Sequence, residues 1–431
     1  METIEDFVVS VLLPLIETGH LGSIEVPRGS LQKQNLPEID IDEDISEEAA
    51  VKMTDGSSNK TISTISTSRE LMSVSKPEAC ATFTQMLSVA ASVTELISTE
   101  KTMSLRDVYY SNKHLFQSQQ QSDTIVLDLG RTLGMRRHEM GIVPASKGLV
   151  AGHLKFAFKI KQSNIPNQTR SSKLNSNDSQ NSWGSMKCCL EAAEDGGLLI
   201  SPKWTSHDIT DITIHVPTCV KYILVVEKEG IFKRLVEDGF YNAIPCIIVT
   251  GCGFPDVATR SLVSKIANHM TLSGVQVVGI CDYNPYGAAL IMSYMISSIR
   301  SKTILETSEN GLCPQLRWLG FRYKHIEELL NHPNIDRSAF QSYSIHDTKK
   351  INGLLQNKDV FKQLNNMEMI DTTTTRSMQQ QHFEERSHTW INELTLMKDK
   401  KIKCELEAIY ALGIEAVAEW IQTCLENNDY I

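Results

Sequence analysis

The sequence predicts a multidomain α/β protein, in which a module of short helices precedes a parallel sheet with a helical tail. Three observations predict this fold class. The chain has 431 residues, which is more than one ordinary core contains. Apolar residues recur with a helical period from about residue 79, and from about residue 216 short β-branched runs alternate with helical stretches. Hydrophobic residues make up 41% of the chain, which is enough to bury sizeable cores.

Residues 1–78 are predicted to be an N-terminal helix followed by a disordered tether. Residues 1 to about 20 have an amphipathic helical pattern, whereas the next stretch is acidic and then rich in Ser and Thr, without a sustained apolar period. The apolar run 7–16 lacks a cationic flank and is too short to span a bilayer. We therefore expect no membrane association.

Residues 79–160 are predicted to be a winged-helix (CAP-like) domain. A long helix places seven apolar residues on one face: Phe83, Met86, Leu87, Ala90, Val93, Leu96 and Ile97. Two shorter helical stretches follow, VYYSNKHLF and SDTIVLDLGRTLG, and the glycine-punctuated GIVPASKGLVAGHLKF predicts a hairpin. Short helices followed by a hairpin are compatible with a winged helix. Residues 161–215 are predicted to be a Ser/Asn/Gln-rich insert, loose to about residue 197, and a connector.

Residues 216–431 are predicted to form a Rossmann-like parallel sheet with a helical C-terminal extension. Apolar, β-branched runs at 222–227, 244–251 and 275–282 predict three strands. Helical stretches lie between them, so the unit has the order βαβαβ, which is typical of a parallel sheet. The segment from HTWINEL onwards has a helical pattern to its end and predicts a tail that packs on the sheet.

Two acids stand where predicted strands end. Glu227 follows the first apolar run and Asp282 the third. Because the carboxyl ends of parallel strands meet at one edge, adjacent strands would bring these side chains together. Carboxylate oxygens suit Mg²⁺, which keeps several waters while it contacts phosphates. The alternative is that both acids only cap the helices that follow.

The aromatic pair Tyr109 and Tyr110 is a second candidate site. A phenol has a pKa of about 10 and is a poor nucleophile near neutral pH, so a nucleophilic tyrosine needs a nearby cation or base. Arg106 lies four residues before Tyr110 and therefore on the same helix face. The alternative is that both tyrosines are ordinary packing aromatics.

The segments VVEKEG and CDYNPYG resemble the metal site of Toprim domains, which topoisomerases, bacterial primases and certain nucleases share. The resemblance implies that Glu227 acts near the reacting phosphate. It also implies that the positions of a D-x-D pair, Asp282 and Asn284, bind metal. Asn284 departs from that pattern, because an amide lacks the negative charge of a carboxylate. Since Asn-Pro is also a common turn signal, a purely local role for Asn284 stays open.

The segment LRDVYYSNKHLFQSQQQSD resembles the catalytic segment of the topoisomerase VI A-subunit family, and the C-terminal KCELEAIYALG is similar to another family segment. The resemblance identifies Tyr110 as the nucleophile and Arg106 as the arginine of the R-D-x-(Y/F)-Y motif. It implies transesterification that leaves a 5′-phosphotyrosyl link, with Mg²⁺ at the Toprim acids. The polar inserts and Asn284 fit the eukaryotic meiotic members, which make DNA double-strand breaks, and the DYNPYG variant suggests a plant-like one.

The resemblance also implies partners. The substrate would be double-stranded DNA, the location the nucleus, and the active form a homodimer or a dimer with a paralogous A-like subunit. The sequence has no G-x-x-x-x-G-K-[ST] signature, which fits dependence on a topoisomerase VI B-like subunit for ATP. Three alternatives remain: an archaeal-type topoisomerase that reseals its break, a hydrolytic Toprim nuclease, and a non-catalytic DNA-binding scaffold.

Positive charge is concentrated after the tyrosine segment. The formal net charge of -10 argues against a surface that attracts phosphate everywhere. However, Arg136, Arg137 and Lys147 belong to a basic run and are predicted to contact DNA phosphates, which would position DNA without reading its sequence. Surface charge without a function is the alternative for each of them.

Overall fold

The computed structural model describes residues 4, 6, 9, 24–29, 67–72, 77–143, 145–159, 183–207, 209–270, 274–296, 312–356 and 376–431. The predicted acidic and Ser/Thr-rich stretch, most of the predicted helix 1–20 and most of the Ser/Asn/Gln-rich insert lie outside these residues. The described residues divide into two compact units, one up to Ala145 and one from Ser146.

The first unit is built around one long helix. Its elements are β1 (Ile24–Gly29), β2 (Thr67–Met72), α1 (Pro77–Thr99), α2 (Leu105–Ser111), a 3-10 turn (Lys113–Leu115) and α3 (Gln119–Leu133). The apolar face predicted for α1 is confirmed, because it packs in one core with Val108 of α2 and Val126 and Leu129 of α3. β1 and β2 pair antiparallel, so two segments of the predicted tether are strands. Pairing between distant segments leaves no local periodicity by which to predict it.

The second unit contains the larger sheet. Its strands are β3 (Leu149–Gly152), β4 (Lys155–Phe158), β5 (Lys187–Cys188), β6 (Leu198–Leu199), β7 (Ile212–His215), β8 (Tyr222–Val226), β9 (Cys246–Thr250), β10 (Gln276–Ile280), β11 (Arg317–Gly320), β12 (Phe340–Ser342) and β13 (Ile402–Cys404). Its helices are α4 (Cys189–Ala192), α5 (Lys203–Ser206), α6 (Glu229–Glu237), α7 (Phe240–Ala243), α8 (Val257–Met270), α9 (Pro285–Met295), α10 (Tyr323–Leu330), α11 (Ile345–Gln356), α12 (Arg376–Lys400) and α13 (Ala416–Glu426).

The six-stranded sheet has the order β11-β10-β8-β9-β3-β6. The first four of these strands run parallel, and β3 is antiparallel to β9 and β6. The side chains from Ile223 to Val226 in the central strand β8 are completely buried, as is typical of a parallel sheet covered on both faces. The predicted βαβαβ order is therefore confirmed, with β8 between β9 and β10.

The predicted hairpin that would complete a winged helix does not form. β3 joins the large sheet beside β9, whereas β4 pairs with β5 and β7 in a separate three-stranded sheet. Gly152 ends β3 at a φ of 94°, and a Cβ there would lie 2.5 Å from the carbonyl oxygen of Cys246. Gly152, which the sequence suggested as part of a hairpin turn, thus allows close packing against β9. Among the residues described up to Ala145, the paired strands β1 and β2 precede the helices, so the predicted wing after the helices is not confirmed.

Two further differences concern the segments predicted as loop and tail. The end of the predicted insert is regular structure, since Cys189 of α4 is buried. In the predicted connector, Trp204 of α5 is buried 5.0 Å from the ring of Phe156. The C-terminal tail is not helical throughout, because β13 interrupts it and pairs antiparallel with β12. In both cases the contact is with a segment distant in the chain, which helical periodicity does not reveal.

Candidate active site

The helix that carries Tyr110 begins with a capping box. The Ser104 hydroxyl accepts a hydrogen bond from the Asp107 backbone N–H, and the Asp107 carboxylate accepts one from the Ser104 N–H at 3.1 Å. Reciprocal bonds of this kind satisfy donors that a helix N-terminus leaves free. Asp107 of the R-D-x-Y-Y segment is therefore a helix cap, and the buried Val108 fixes the helix face.

The two adjacent tyrosines lie in different surroundings. Tyr109 packs against the core of the first unit, whereas the Tyr110 side chain is 52% exposed. Their ring centroids are 5.2 Å apart. Of the two, Tyr110 is thus the one that an incoming phosphate can reach.

Two cations flank the Tyr110 ring. The Arg106 guanidinium carbon lies 5.6 Å from the ring centroid, and the Lys113 Nζ atom lies 5.8 Å from it. The position of Arg106 agrees with its predicted i to i+4 spacing. Sequence reasoning missed Lys113, although its i+3 spacing from Tyr110 was a usable signal.

A buried polar network fixes the chain directly after Tyr110. Asn112 is 6% exposed, its Oδ1 accepts from the Ser88 hydroxyl at 2.6 Å, and its Nδ2 donates to the Val108 carbonyl at 3.1 Å. One turn earlier on α1, Gln85 Nε2 donates to the Leu115 carbonyl at 2.6 Å. Buried polar groups stay where they find hydrogen-bond partners. This network therefore fixes the end of α2 and the start of the 3-10 turn that carries Lys113.

The two acids meet at the predicted edge of the sheet. β8 and β10 are adjacent and parallel, and Glu227 and Asp282 follow them closely. The Glu227 Oε2 atom accepts a hydrogen bond from the Asp282 N–H at 2.9 Å. The prediction that adjacent strands bring both acids together is confirmed.

The acids perturb each other electrostatically. Desolvation, and after it the negative charge of Asp282, raises the pKa of Glu227 to about 8. Desolvation also raises the pKa of Asp282, against hydrogen bonds from the Leu406 N–H and from Lys228 that lower it. The simultaneous ionisation of these two carboxyl groups is unfavourable. A divalent cation bound between them would stabilise both carboxylates.

Sequence reasoning missed Lys228, Glu405 and Glu407. The Lys228 Nζ atom lies 3.0 Å from Asp282 Oδ2, 3.3 Å from Glu405 Oε2 and 2.6 Å from Glu407 Oε2. Although burial lowers it, hydrogen bonds with Glu407 and Asp282 raise the pKa of the Lys228 ammonium. The sequence signals were the position of Lys228 beside Glu227 and the family resemblance of KCELEAIYALG, which contains both glutamates. Neither signal predicts that this distant segment reaches the strand ends.

Asn284 has a local role in the structure. Its Oδ1 accepts hydrogen bonds from the Tyr286 N–H at 2.9 Å and the Gly287 N–H at 2.8 Å, so it caps α9. Of the alternatives that the sequence left open, this geometry favours the turn and cap.

Gly287 lies close to both acids: a Cβ there would lie 2.6 Å from the Asp282 carbonyl and 3.2 Å from Glu227 Oε2.

The predicted phosphate contacts are divided between the two units. Arg136 forms an ion pair with Glu139, with 3.1 Å between NH2 and Oε1. Arg137 is half-buried in the same unit. Lys147 belongs to the second unit, where its carbonyl accepts a hydrogen bond from the Cys252 thiol at 3.2 Å. Their contact with DNA stays a prediction.

The donor chemistry at the strand ends fits a divalent cation. Glu227 and Asp282 offer carboxylate oxygens, which Mg²⁺ and similar hard ions prefer. Desolvation raises the pKa of both carboxyl groups, so burial opposes their ionised forms, which a bound divalent cation would favour. Gly287 keeps the space beside the Glu227 carboxylate free of a side chain. Of the predicted ligands, the structure brings the Glu227 and Asp282 carboxyl groups together, and metal binding by Asn284 stays a prediction.

A second group of metal-ligand side chains, His325, Cys424 and Asp429, lies in the C-terminal part. The Asp429 carboxylate already accepts from Arg322, Lys324 and His325, the last at 3.0 Å. Against desolvation, which raises it, these bonds hold the pKa of Asp429 well below its usual range. The Asp429 carboxylate is thus already paired with side chains of the protein. The cluster connects the C-terminal residues to α10.

One helix among the described residues, Cys80–Thr99, is long and apolar enough to cross a membrane by length and composition. Its residues Met86, Val89 and Val93 are completely buried in the core of the first unit. A core helix produces the same composition, so this helix is accounted for without a membrane.

The parallel sheet and the acids at the ends of adjacent strands define the second unit as a Toprim-type domain, generally a divalent-metal-binding domain. The family model for the Toprim domain of the topoisomerase 6 A-subunit/Spo11 proteins matches residues 222–373, and the model for type IIB DNA topoisomerase matches residues 81–142. The chain therefore carries a Toprim domain of the topoisomerase VI A-subunit/Spo11 type and a type IIB DNA topoisomerase domain.

Relatives with two kinds of name are similar to this chain. The A-subunit of DNA topoisomerase 6 from Arabidopsis thaliana is 28% identical over 76% of the chain, and the match covers 61% of that relative. Meiotic recombination protein SPO11 of Mus musculus is 26% identical over 80% of the chain and 71% of the relative. Meiotic recombination protein SPO11-2 of Oryza sativa subsp. indica is 30% identical over 49% of the chain and 45% of the relative. The chain therefore spans less than two thirds of some of these relatives.

Proposed function

We propose that this protein cleaves double-stranded DNA by transesterification, with Tyr110 as the nucleophile. The observation that carries the proposal is an exposed tyrosine beside two cations in a chain that also has paired Toprim acids. The family models support it, because one spans the tyrosine segment and the other spans the acids.

In the proposed reaction, the Tyr110 oxygen attacks a backbone phosphorus in line. The new bond between phosphorus and tyrosine oxygen forms while the bond to the 3′ oxygen breaks. The phenol releases its proton to water, the 3′ oxygen leaves and takes up a proton from water, and the protein stays on the DNA 5′ end. Arg106 and Lys113 neutralise the phosphate and favour the phenolate, because cations near a developing charge stabilise it most.

Glu227 and Asp282 would hold Mg²⁺ for this reaction, since both present oxygen ligands at one strand edge. When bound, the ion stabilises the charge that develops on the phosphate and the leaving oxygen. The two carboxylates orient it, and the Asp282 N–H fixes the Glu227 carboxylate at 2.9 Å.

A dimer is the proposed active form. Tyr110 belongs to one compact unit of the chain, and Glu227 and Asp282 belong to the other. We infer that two subunits complete each site, in a homodimer or with a paralogous A-like subunit, so that each protomer cuts one strand. A topoisomerase VI B-like subunit would supply the ATP-dependent step, since this sequence has no P-loop signature.

We further propose a meiotic role in the nucleus, in which the breaks start homologous recombination. Relatives named as meiotic recombination proteins and relatives named as topoisomerase subunits match similar shares of the chain. The Ser/Asn/Gln-rich insert and the departure at Asn284 are the sequence features that support the meiotic role. A topoisomerase of the same family that reseals its break is the second candidate.

The test is a covalent adduct between protein and DNA in meiotic cells. Protein is precipitated under denaturing conditions and its attached DNA is end-labelled, for wild type, Tyr110→Phe and Tyr109→Phe. Tyr109→Phe is the matched control, since it removes a hydroxyl from a core-packed ring next to the same backbone. We expect the label to disappear only in Tyr110→Phe.

Other outcomes would select the alternatives. Breaks that persist in Tyr110→Phe without any adduct in wild type would identify a hydrolytic nuclease. An adduct that reseals when Mg²⁺ is removed would identify a topoisomerase. DNA binding with neither breaks nor adduct, in cells that contain the B-like partner, would leave a non-catalytic scaffold.

A further inference from the structure

The ammonium group of Lys228 lies among the acids of the metal site. It is within 3.3 Å of carboxylate oxygens of Asp282, Glu405 and Glu407. The Lys228 side chain is 24% exposed and that of Asp282 is 6% exposed, so this charge is partly shielded from water. A contact of this kind is stronger than an ion pair at an open surface.

The C-terminal turn that supplies Glu405 and Glu407 is fixed against the metal loop by backbone bonds. The Leu406 N–H donates to Asp282 Oδ1 at 2.8 Å. The Tyr283 N–H donates to the Cys404 carbonyl at 2.9 Å, and the Cys404 N–H returns a bond to the Tyr283 carbonyl at 3.1 Å. These three bonds set the register, so the two glutamates face Lys228 because of the fold.

Asp282 therefore has both carboxylate oxygens engaged by groups of the protein itself. Oδ1 accepts from the Leu406 N–H, and Oδ2 contacts the Lys228 ammonium at 3.0 Å. A divalent cation that binds Asp282 has to share it with Lys228 or displace the ammonium group. The two glutamates offer a displaced ammonium group another place, since Glu407 already lies at 2.6 Å and Glu405 at 3.3 Å.

We propose that Lys228 is an internal cation of the metal site: it neutralises Asp282 in the metal-free protein, and a divalent cation binds only in competition with it. Glu405 and Glu407 hold the ammonium group when the metal takes Asp282. Lys228 is thus a positioning residue that acts through Asp282. This inference rests on the proposed function, because it concerns the cation that the reaction needs.

The test is a calorimetric titration of the full chain with MgCl₂ and with MnCl₂ in the absence of DNA. Lys228→Met removes the competing charge and is expected to tighten metal binding by about tenfold or more, because the ammonium group and a divalent ion repel each other at short range. Lys228→Arg keeps the charge and should bind metal nearly as wild type does. Glu407→Gln frees Lys228 for Asp282 and should weaken binding.

Lys233→Met is the matched control on the same helix. Lys233 is exposed and pairs with Glu229 at 2.6 Å, away from the acids of the metal site. Its replacement should leave metal affinity unchanged. If Lys228→Met binds metal no more tightly than Lys233→Met does, the proposal is wrong.

Thermal unfolding separates this role from a purely structural one. Without metal, Lys228→Met leaves Asp282 uncompensated and should unfold at a lower temperature than wild type, and saturating Mg²⁺ should remove most of the difference. A structural lysine would lose the same stability with and without Mg²⁺, which would overturn the proposal. Adduct formation does not enter either measurement. A chain with these metal affinities but no DNA adduct would keep this inference and refute the proposed function.

Discussion

Tyr110 and Asp282 lie in opposite charge environments. Tyr110 is exposed beside Arg106 and Lys113, and among the described residues neither cation has a carboxylate within ion-pair distance. Asp282 is buried and has a hydrogen-bond or ion-pair partner at each oxygen, one of them the ammonium group of Lys228.

The difference indicates what each region needs in order to work. Positive charge at the tyrosine is available to a substrate phosphate, so the charge balance there is completed by DNA. Charge at the strand ends is balanced within the protein, so it changes only when a cation enters. Substitutions near Tyr110 should therefore change DNA-dependent measurements, and those near Asp282 should change the protein even without DNA.

The largest effect is expected from filling the space beside the acids. In Gly287→Ala the added Cβ would lie 2.6 Å from the Asp282 carbonyl, closer than real Cβ contacts, so the loop after β10 has to move. We expect metal affinity and adduct formation each to fall by about tenfold or more, the equivalent of about 1.4 kcal/mol. Gly230→Ala at the start of α6 is the control, because a Cβ there meets nothing within 4 Å. Equal effects of the two substitutions would contradict the packing argument.

A second prediction concerns pH and the metal-free protein. The folded pKa of Glu227 is about 8, above its ordinary 4.5, so its contribution to stability is fully present below pH 4.5 and is lost as pH rises through 8. In EDTA, wild type should therefore lose stability from pH 5 to 8 relative to Glu227→Gln, by on the order of a few kcal/mol.

The Glu227→Gln reference removes contributions from other groups, such as His325, whose pKa is lowered to about 4 chiefly by burial. His325 gives the opposite pH dependence. The folded protein favours its neutral form, so the free energy of unfolding decreases as the pH falls and the imidazole is protonated. Saturating Mg²⁺ should abolish the Glu227 slope. Parallel stability curves for wild type and Glu227→Gln in EDTA would show that Glu227 ionises normally.

The contacts around Tyr110 were more predictable from the sequence than the contacts around Asp282. At the tyrosine, the local spacing of Arg106 predicted its position, and the same rule applied to i+3 would have found Lys113. At the acids, alternating strands and helices predicted which two carboxyl groups meet. The contacts that the C-terminal turn makes there were not predictable: the Leu406 N–H bonds to Asp282, and Glu405 and Glu407 pair with Lys228. The register of that turn depends on backbone pairing between Tyr283 and Cys404.

The smallest effect is expected from Lys113→Ala. Lys113 is exposed and lies 5.8 Å from the Tyr110 ring, so its removal should leave stability within about 0.5 kcal/mol of wild type. Adduct formation should fall by several-fold, because one of the two cations that favour phenolate and phosphate is lost. The fall should shrink at high salt, which screens exposed charges.

His114→Ala is the control for Lys113→Ala, since His114 is an exposed neighbour in the same 3-10 turn. It should leave adduct formation unchanged at neutral pH. The comparison of the two regions also predicts that Lys113→Ala has the metal affinity of wild type in the absence of DNA, because no charge at the strand ends changes. A loss of metal affinity in Lys113→Ala would mean that the two regions share one electrostatic environment, and the contrast between them would fail.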